Sequence, residues 1–307
     1  MSAFHAMGTE VTVFVPAASP EEEAALTKAV ARIFAELEGT FSRFRRTSLL
    51  SRLNRATRPL PLPPDVLAVL ERAGHYHERT GGLFNPAVGS SLREAGYDRS
   101  FSPGALDRAT APDTTPRSVL PLSDALIVDR GGGTAWLCDG VELDLGGIVK
   151  GMAVDRAGAL LPTSGAVDAG GDVYLKGSAD SHTGWLVDVE DPFDPSQVMM
   201  TLRVRDAGVA TSAPNRRRWR RGGQTMHHLI DPRTGAPARS DLAQMTVVAP
   251  TAELAEVLSK AAFVAGSRRA SSLLADGGAH GGVMIHQSGQ VETIGDVEVV
   301  DEHDSLA

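Results

Sequence analysis

The amino-acid sequence predicts a fold that mixes helices and strands, because two kinds of hydrophobic period occur along its 307 residues. Apolar residues alternate with polar ones in EVTVFV (residues 10–15), which is typical of a half-buried strand. Apolar residues three or four positions apart, as over residues 19–38, are typical of a helix. The composition, 42% hydrophobic and 22% charged, is ordinary for a globular protein and sufficient for one large or two small cores.

Charge and composition exclude several classes of protein. The net charge of -8 and a pI near 5.6 argue against general nucleic-acid binding. The single cysteine, Cys138, excludes an internal disulfide framework and a cysteine-based zinc site. No apolar run has the length of a membrane span, and the first residues lack the basic-then-apolar pattern of a signal peptide. We therefore expect a cytoplasmic protein with no direct membrane insertion.

The first third of the chain predicts two helices around a polar segment. Ser19 followed by Pro20 and three glutamates is a strong helix start, and that helix should reach about residue 38. Residues 41–54 are polar and basic. Their serines, Asn54 and arginines suit a ligand and an anion, but taken alone the segment favours a solvated loop and short helix. The sequence predicts a second helix over residues 64–79, which ends at a glycine pair, and a hairpin over residues 125–138.

The stretch ELDLGGIVKGMAVD (residues 142–155) predicts a strand, a glycine pair and a helix start. Residues 141–145 alternate as a strand, Gly146 and Gly147 break it, and helical spacing begins at Ile148. The N–H groups at such a helix start suit an anion, usually phosphate, and Lys150 adds a positive charge there. An ordinary strand-to-helix turn with a solvated lysine is the alternative.

The second half of the chain predicts a series of strands followed by a helix and a hairpin. Gly170 and Gly171 interrupt a strand pattern at residues 166–177, which marks a bulge or a close approach by a ligand. The remaining predicted elements are strands at 185–190, 198–205, 208–212 and 244–250, a capped helix at 251–266, a hairpin at 282–294, and an acidic tail from about residue 296.

HHLIDPRTG (residues 227–235) is the segment that most suggests a reaction. A strand carrying His228 runs into an Asp-Pro turn, and histidine is the side chain most readily poised as a base near neutral pH. A structural histidine beside a common turn is the alternative. The nearby RRRWRR run (residues 216–221) suits a phosphate clamp or a docking surface, and equally an exposed hairpin tip.

Taken together, these segments resemble the ApbE family, the FAD:protein FMN transferases. The resemblance extends from Met7 to about Gly266 and rests on several short motifs in the family's order. The motifs are Met7-Gly8-Thr9, residues 42–54, TGGLFNP (80–86), DLGGIVKG (144–151) with Asp155, Gly170-Gly171, Ala210-Thr211-Ser212 and HLIDPRTG (228–235).

The resemblance implies a single catalytic domain over residues 1–307, with a two-lobed α+β fold, mixed sheets and FAD in the cleft between the lobes. It implies that a Thr or Ser hydroxyl of a target flavoprotein attacks the FMN-side phosphorus of FAD, FMN becomes attached through a phosphoester bond, and AMP leaves. His228 resembles the family's general base, and Asp231 and Thr234 would hold its turn in shape. The residues expected to contact FAD are Ser48, Asn54, Asp144, Gly146, Gly147, Lys150, Gly170, Gly171, Thr211, Ser212, His228, Asp231, Thr234 and Lys260.

One departure from the family concerns the magnesium ion that the resemblance implies. An Asp and a Thr four residues later help bind this ion in the family, and here Glu256 and Lys260 stand at those positions. Glu256 is still able to ligate a metal, whereas the Lys260 ammonium has donors and no acceptor. Lys260 replaces part of the metal's charge, or the metal stays on Glu256, or activity is lost. A fourth possibility is an exposed i,i+4 pair with no role at the site.

The sequence leaves alternatives to FMN transfer open. One is an FAD pyrophosphatase, in which water replaces the protein hydroxyl and free FMN and AMP result. Another is a non-catalytic FAD-binding protein that has lost its metal site. The expected partners are FAD and an acceptor flavoprotein, either cytoplasmic or carrying its acceptor domain on the inner side of a membrane.

Overall fold

A computed structural model of the protein describes residues 1–16, 18–102, 104–111, 116–179 and 184–300. The chain divides into two compact units, each assembled from separate segments. Unit 1 consists of Met1–Ala35, Lys150–Ala213 and Ser240–Ala307, and unit 2 of Glu36–Val149 and Pro214–Arg239. The expectation of a single catalytic domain over residues 1–307 stays a prediction.

Helices and strands alternate irregularly along the described residues, so the predicted α+β class is confirmed. The helices are α1 (Pro20–Phe41), α2 (Leu49–Leu53), α3 (Pro64–Arg79), α4 (Gly89–Glu94), α5 (Leu122–Ala125), α6 (Val149–Gly158), α7 (Ala252–Ala265) and α8 (Ser267–Gly277). The strands are β1 (Ser2–Ala6), β2 (Thr9–Phe14), β3 (Leu60–Pro61), β4 (Leu126–Asp129), β5 (Thr134–Leu137), β6 (Gly165–Ala169), β7 (Asp172–Lys176), β8 (Trp185–Glu190), β9 (Val198–Val204), β10 (Ala207–Ser212), β11 (Arg218–Arg221), β12 (Gln224–His227), β13 (Ile230–Asp231), β14 (Ala236–Pro237), β15 (Leu242–Ala249), β16 (Gly281–His286), β17 (Val291–Gly295) and β18 (Glu298–Val300).

Unit 1 is built on an eight-stranded sheet in the order β1-β2-β6-β7-β10-β15-β16-β17, with antiparallel neighbours throughout. A second sheet, β18-β9-β8, shares a hydrophobic core with it. Trp185 and Leu202 from the smaller sheet pack with Val209 and Val283 from the larger one. Helix α7 packs on β10, β15 and β7, and most of its residues are buried. The Glu256 side chain on this helix is thereby buried.

Unit 2 combines α3 with a small sheet, β3-β5-β4, and two hairpins, β11–β12 and β13–β14. Its hairpins join a core in which Trp219, Met226 and Ile230 pack with Leu92 and Leu106. This core anchors both ends of the segment that carries His228.

Local signals predicted several boundaries correctly. The second predicted helix is α3, and Gly81 and Gly82 follow it with positive φ. Ser19 and Glu22 bond reciprocally through their side chains and backbone N–H groups at the start of α1, as in a capping box. Thr251 caps α7 by accepting from the Leu254 N–H.

Three expectations need correction. Residues 141–145 form no strand and contribute only an isolated bridge between Val88 and Glu142. The glycine pair at 170–171 is no strand bulge but the tight turn between β6 and β7, with φ of +65° and +93°. The predicted acidic tail begins with β18, which pairs with β9, while residues 301–307 lie outside the described part of the chain.

Candidate active site

The segment around Leu143 in unit 2 is held by a side chain from a distant part of the chain. Asn54 Nδ2 donates to the Leu143 carbonyl at 2.9 Å, and Asn54 Oδ1 accepts from the Leu143 N–H at 2.9 Å. Farther along, the Asp144 N–H donates to the Pro86 carbonyl at 2.8 Å. The Asn54 amide therefore replaces a neighbouring strand at Leu143, which explains why the alternating sequence there forms no strand.

Asp144 is fixed on both sides of its carboxylate. Arg43 Nε donates to Oδ2 at 2.6 Å, and the Gly146 N–H donates to Oδ1 at 2.7 Å. The Arg43 guanidinium also lies over the rings of Phe44 and Tyr97, 4.1 and 4.8 Å from their centroids. The Gly146 N–H, predicted to face an anion, is thus used inside the turn, and Asp144 is neutralised by Arg43.

Ser48 has a structural position at the start of α2. Its hydroxyl accepts from the Ser51 N–H at 3.0 Å and donates to the Ser42 carbonyl at 2.7 Å, and the residue is buried. This is the arrangement of a helix N-cap. Ser48 therefore orders the segment that leads into Asn54, and its predicted contact with FAD stays a prediction.

His228 lies immediately after β12, between two fixed parts of unit 2. Its N–H donates to the Arg217 carbonyl at 3.3 Å. Beyond it, Asp231 is buried and accepts from Arg233 at 2.9 Å on Oδ1 and 2.8 Å on Oδ2. The Thr234 N–H and hydroxyl both donate to the Asp231 carbonyl. Asp231 and Thr234 are thus hydrogen-bonded within this turn, and their expected contacts with FAD stay a prediction.

Only residues 218–221 of the RRRWRR run form a strand, β11 of the β11–β12 hairpin, while Arg216 ends a short 3-10 helix before it, so the run is not a continuous cationic surface. Burial alternates along β11, so Arg218 and Arg220 are exposed while Trp219 and Arg221 are buried. Trp219 Nε1 donates to the Ala95 carbonyl at 2.8 Å, and Arg221 donates to the carbonyl of Glu94. The Trp219 and Arg221 side chains, half of this strand, are therefore buried and bonded within unit 2.

Unit 1 contains a cluster of four charged side chains, which we call the charge cluster: Lys150, Asp172, Glu256 and Lys260. Lys150 forms an ion pair with Asp172 and donates to the Ala169 carbonyl at 3.2 Å. Glu256 Oε1 lies 3.0 Å from Lys260 Nζ, and Oε2 accepts from the Gly151 N–H at 2.9 Å. Lys150 and Lys260 are thus each bound to a carboxylate of the chain itself.

The two carboxyl groups of the charge cluster have pKa values shifted in opposite directions. Burial raises the pKa of Asp172 to about 7, the Glu256 charge adds to the increase, and the lysines oppose it. For Glu256, burial acts to raise the pKa, but attraction to Lys260 and Lys150 and the Gly151 N–H outweigh it, so the pKa is lowered. The lysines therefore favour the ionised form of Glu256, whereas burial favours the protonated form of Asp172.

The remaining predicted residues of unit 1 lie on the sheet. Thr211 and Ser212 are successive residues of β10 and therefore point to opposite faces. The Thr211 hydroxyl lies 2.9 Å from that of Thr246, and the Ser212 hydroxyl lies 2.9 Å from that of Ser259 on α7. At Gly170 a Cβ would come within 2.1 Å of the Thr9 hydroxyl, so this turn requires glycine.

Known proteins are similar to this chain over most of its length. The ApbE family model matches residues 7–284. The chain belongs to the ApbE family. A Treponema pallidum relative named FAD:protein FMN transferase is 32% identical over 288 residues, covering 86% of this chain and 77% of the relative. A Chlamydia trachomatis relative of the same name is 31% identical, covering 73% of this chain and 70% of the relative.

Solved structures of ApbE proteins share this fold. The crystal structure of the ApbE protein from Thermotoga maritima has a TM-score of 0.84 at 26% identity, covering 95% of this chain and 96% of that chain. The flavin transferase ApbE from Vibrio cholerae has a TM-score of 0.76 at 22% identity, covering 97% and 96%. The ApbE-like fold predicted from the motifs is therefore confirmed.

Within this ApbE-family chain, Glu256 does not fit the role of a magnesium ligand. One of its oxygens accepts from Lys260 and the other from Gly151, and the adjacent Lys260 ammonium repels a cation. The described residues also contain no group of three or more His, Cys, Asp or Glu side chains placed to hold a metal. The exposed-pair interpretation is wrong as well, because the Glu256 side chain is only 1% exposed.

Sequence reasoning missed two partners that decide the electrostatics of these segments. These partners are Asp172, which directly follows the glycine pair, and Arg43, one of the arginines of residues 41–54. The available signal for Asp172 was a carboxylate at the start of a strand whose other residues are mainly apolar.

None of the helices in the described part of the chain is long and apolar enough to cross a bilayer.

Proposed function

We propose that this chain is an FAD:protein FMN transferase, an enzyme that attaches FMN from FAD to a Thr or Ser hydroxyl of a target flavoprotein and releases AMP. The observation that carries the proposal is the match to the ApbE family over residues 7–284, together with relatives at 31–32% identity that bear this name. The well-ordered turn around His228 adds chemical support.

His228 acts as the general base in the proposed reaction. The acceptor hydroxyl oxygen attacks the FMN-side phosphorus, its proton passes to the His228 imidazole, and the bond from that phosphorus to the oxygen of AMP breaks. FMN is then joined to the acceptor through a phosphoester bond, and AMP leaves with its phosphate. Base catalysis of this kind requires an imidazole held at a defined position, and Asp231 and Thr234 shape the turn that follows His228.

Lys260 supplies positive charge to the FAD pyrophosphate in this proposal. Its side chain is 25% exposed, and an ammonium has three hydrogens, of which one is donated to Glu256. Lys150, by contrast, is 13% exposed and bound to Asp172, so it balances that carboxylate and the charge cluster as a whole. Phosphoryl transfer depends mainly on such positioned charge. No step is assigned to magnesium, because Glu256 does not fit its ligand position.

The other proposed FAD contacts fall into a hydrogen-bonded group in unit 2 and a set of further residues. Asn54, Asp144 and Gly146 act together because their side chains and backbone are bonded into one unit-2 segment. Gly147, Gly170, Gly171, Thr211 and Ser212 are proposed as further contacts. The acceptor flavoprotein and a cytoplasmic location for the reaction are likewise proposals, tested by finding the flavinylated protein and fractionating cells.

The deciding experiment measures AMP release from FAD by the purified chain, with and without an acceptor flavoprotein domain, each in magnesium and in EDTA. FMN transfer predicts AMP only with acceptor, together with a fluorescent acceptor band on a denaturing gel. His228→Ala should reduce that band to a slow but measurable residual rate while FAD binding persists. AMP without acceptor would establish the pyrophosphatase instead. Bound FAD with no AMP under any condition would make the chain a flavin-binding protein.

A further inference from the structure

His227, the residue before the proposed base, is bonded through both ring nitrogens to backbone groups of unit 2. The Leu229 N–H donates to His227 Nδ1 at 3.3 Å, and His227 Nε2 lies 3.1 Å from the Ala238 carbonyl oxygen. Because Nδ1 accepts, it carries no proton, so the proton is on Nε2 and is donated to Ala238. The contacts therefore define a neutral imidazole with one tautomer.

The ring occupies a particular place in the strand pairing. In the β13–β14 hairpin Ile230 pairs with Pro237, and the Ala238 N–H donates to the Leu229 carbonyl at 2.8 Å. In a regular hydrogen-bonded antiparallel pair, a second bond would join the Leu229 N–H to the Ala238 carbonyl. The His227 imidazole bonds both of these groups and so completes the pair through a side chain.

This arrangement fixes the chain on both sides of His228. His227 is anchored by its ring and by its pairing with Arg218 across the β11–β12 hairpin, and Leu229 is anchored by the same ring and by Ala238. His228 lies between these two anchored residues, and its own N–H donates to the Arg217 carbonyl. The backbone from which the His228 side chain projects therefore depends on the His227 ring.

Burial keeps the ring in the state that these contacts require. Burial lowers the pKa of His227, and its bond to the Ala238 carbonyl acts in the opposite direction but does not cancel the effect. A protonated ring would place an N–H at Nδ1 directly against the Leu229 N–H. The neutral form alone satisfies both neighbours.

We propose that His227 is the positioning residue of the FMN transfer: its imidazole, inserted between Leu229 and Ala238, sets the orientation of the general base His228. The proposal rests on the proposed function, in which His228 accepts the proton of the acceptor hydroxyl. His227 itself takes no part in proton transfer, because both of its nitrogens are occupied by the backbone.

The test compares His227→Leu with His227→Gln. Leucine removes both hydrogen bonds, whereas the glutamine amide offers an oxygen acceptor and an N–H donor for the same two backbone groups. His77→Leu is the matched control, because His77 also bridges backbone groups of unit 2, the Phe84 carbonyl at 3.0 Å and the Leu122 N–H at 3.2 Å. All three proteins are measured for FMN transfer to an acceptor domain that the wild-type chain modifies.

We expect His227→Leu to lower kcat by about tenfold to a hundredfold with little change in the KM for FAD, because a small misplacement of a reacting group has this scale of effect. His227→Gln should recover most of kcat. His77→Leu should lower the urea midpoint but keep kcat. In a His228→Ala background, His227→Leu should cause no further loss, since a positioning residue has nothing left to position.

The proposal is overturned if His227→Leu keeps the wild-type kcat, if it lowers kcat by the same factor in the His228→Ala background, or if His77→Leu loses as much. If wild-type protein transfers no FMN, or His228→Ala retains full transfer, the proposed function is what fails. The positioning claim is then decided by nitrogen-15 NMR of the His228 imidazole. Shifted His228 signals in His227→Leu that return in His227→Gln support the claim, and unchanged signals refute it.

Discussion

Lys260 Nζ lies 3.0 Å from Oε1 of Glu256, one turn earlier on α7, and the Glu256 side chain is only 1% exposed. An exposed i,i+4 pair contributes only about 0.3–0.5 kcal/mol to stability. Removing one partner of a buried pair costs considerably more, because the other charge stays in a poorly solvated place. The contact between these two residues therefore affects the stability of unit 1 and sets the position of the partly exposed Lys260 ammonium.

Replacing Lys260 with methionine should destabilise the protein by about 2 kcal/mol, less than the full cost of breaking a buried pair because Lys260 is partly exposed and Lys150 also attracts Glu256. The free energy of unfolding from urea titration provides the measurement. Lys28→Met, at an exposed position on α1, is the matched control and should change it little. Equal losses in the two variants would show that the Lys260 contact is energetically unimportant.

The metal requirement of the reaction should depend on residue 260. We expect wild-type FMN transfer to be unaffected by EDTA, because in the proposed reaction the Lys260 ammonium supplies charge to the FAD pyrophosphate. Lys260→Thr places a hydroxyl acceptor there and releases one oxygen of Glu256, so this variant should lose activity in EDTA and regain it with magnesium. Transfer rates with EDTA and with added magnesium decide the matter, and Lys28→Thr serves as control. Wild-type activity abolished by EDTA would contradict the charge-replacement argument.

Features with local causes were predictable from the sequence. The bounds of α3 and α7 follow from signals within a few residues of each end, namely proline and threonine at the starts and glycine after the ends. The β4–β5 hairpin likewise follows from its own alternation and glycine turn. Helix α8 was missed because its sequence, SRRASSLLADG, is largely polar and begins directly after α7.

Features that depend on distant partners were not predictable. Residues 141–145 alternate as a strand does, but Asn54 takes both backbone groups of Leu143, and nothing near either residue in sequence indicates this. Lys150, on helix α6, was expected at an anion, and its observed partner, Asp172, comes from strand β7. The motifs identified the family and hence most candidate residues, whereas the contacts that assign each side chain a role required the structure.

The pH dependence of stability should report on Asp172. Burial raises the pKa of this carboxyl to about 7 in the folded protein, above the ordinary value of 3.8. A raised folded-state pKa contributes stability that is fully present below the unfolded pKa and is lost as pH rises through about 7. We therefore expect the free energy of unfolding of wild type, relative to Asp172→Asn, to fall as pH rises from about 4 to 8. Urea titrations of both proteins across this range measure the difference, and a difference independent of pH would refute the shift.

The last prediction concerns Asn54, whose side-chain amide makes the two hydrogen bonds to Leu143 that a neighbouring strand would make. Asn54→Ala leaves the Leu143 N–H and carbonyl without this partner, which should cost about 2 kcal/mol of unfolding free energy. Asn85→Ala is a matched control, since Asn85 also bonds two backbone groups of unit 2, the Leu120 carbonyl and the Ala87 N–H. Urea titration should show comparable losses for both variants.

The two asparagine variants should differ in FAD binding. Loss of the Asn54 amide loosens Leu143, and through it the adjacent Asp144 and Gly146 that we propose as FAD contacts. Asn54→Ala should therefore weaken FAD binding by about tenfold, as expected when groups that position a ligand become mobile, and Asn85→Ala should change it much less. Equilibrium dialysis with FAD measures both constants. If the two variants weakened binding equally, the effect would come from general loss of stability in unit 2, and Asn54 would have no specific part in holding the flavin.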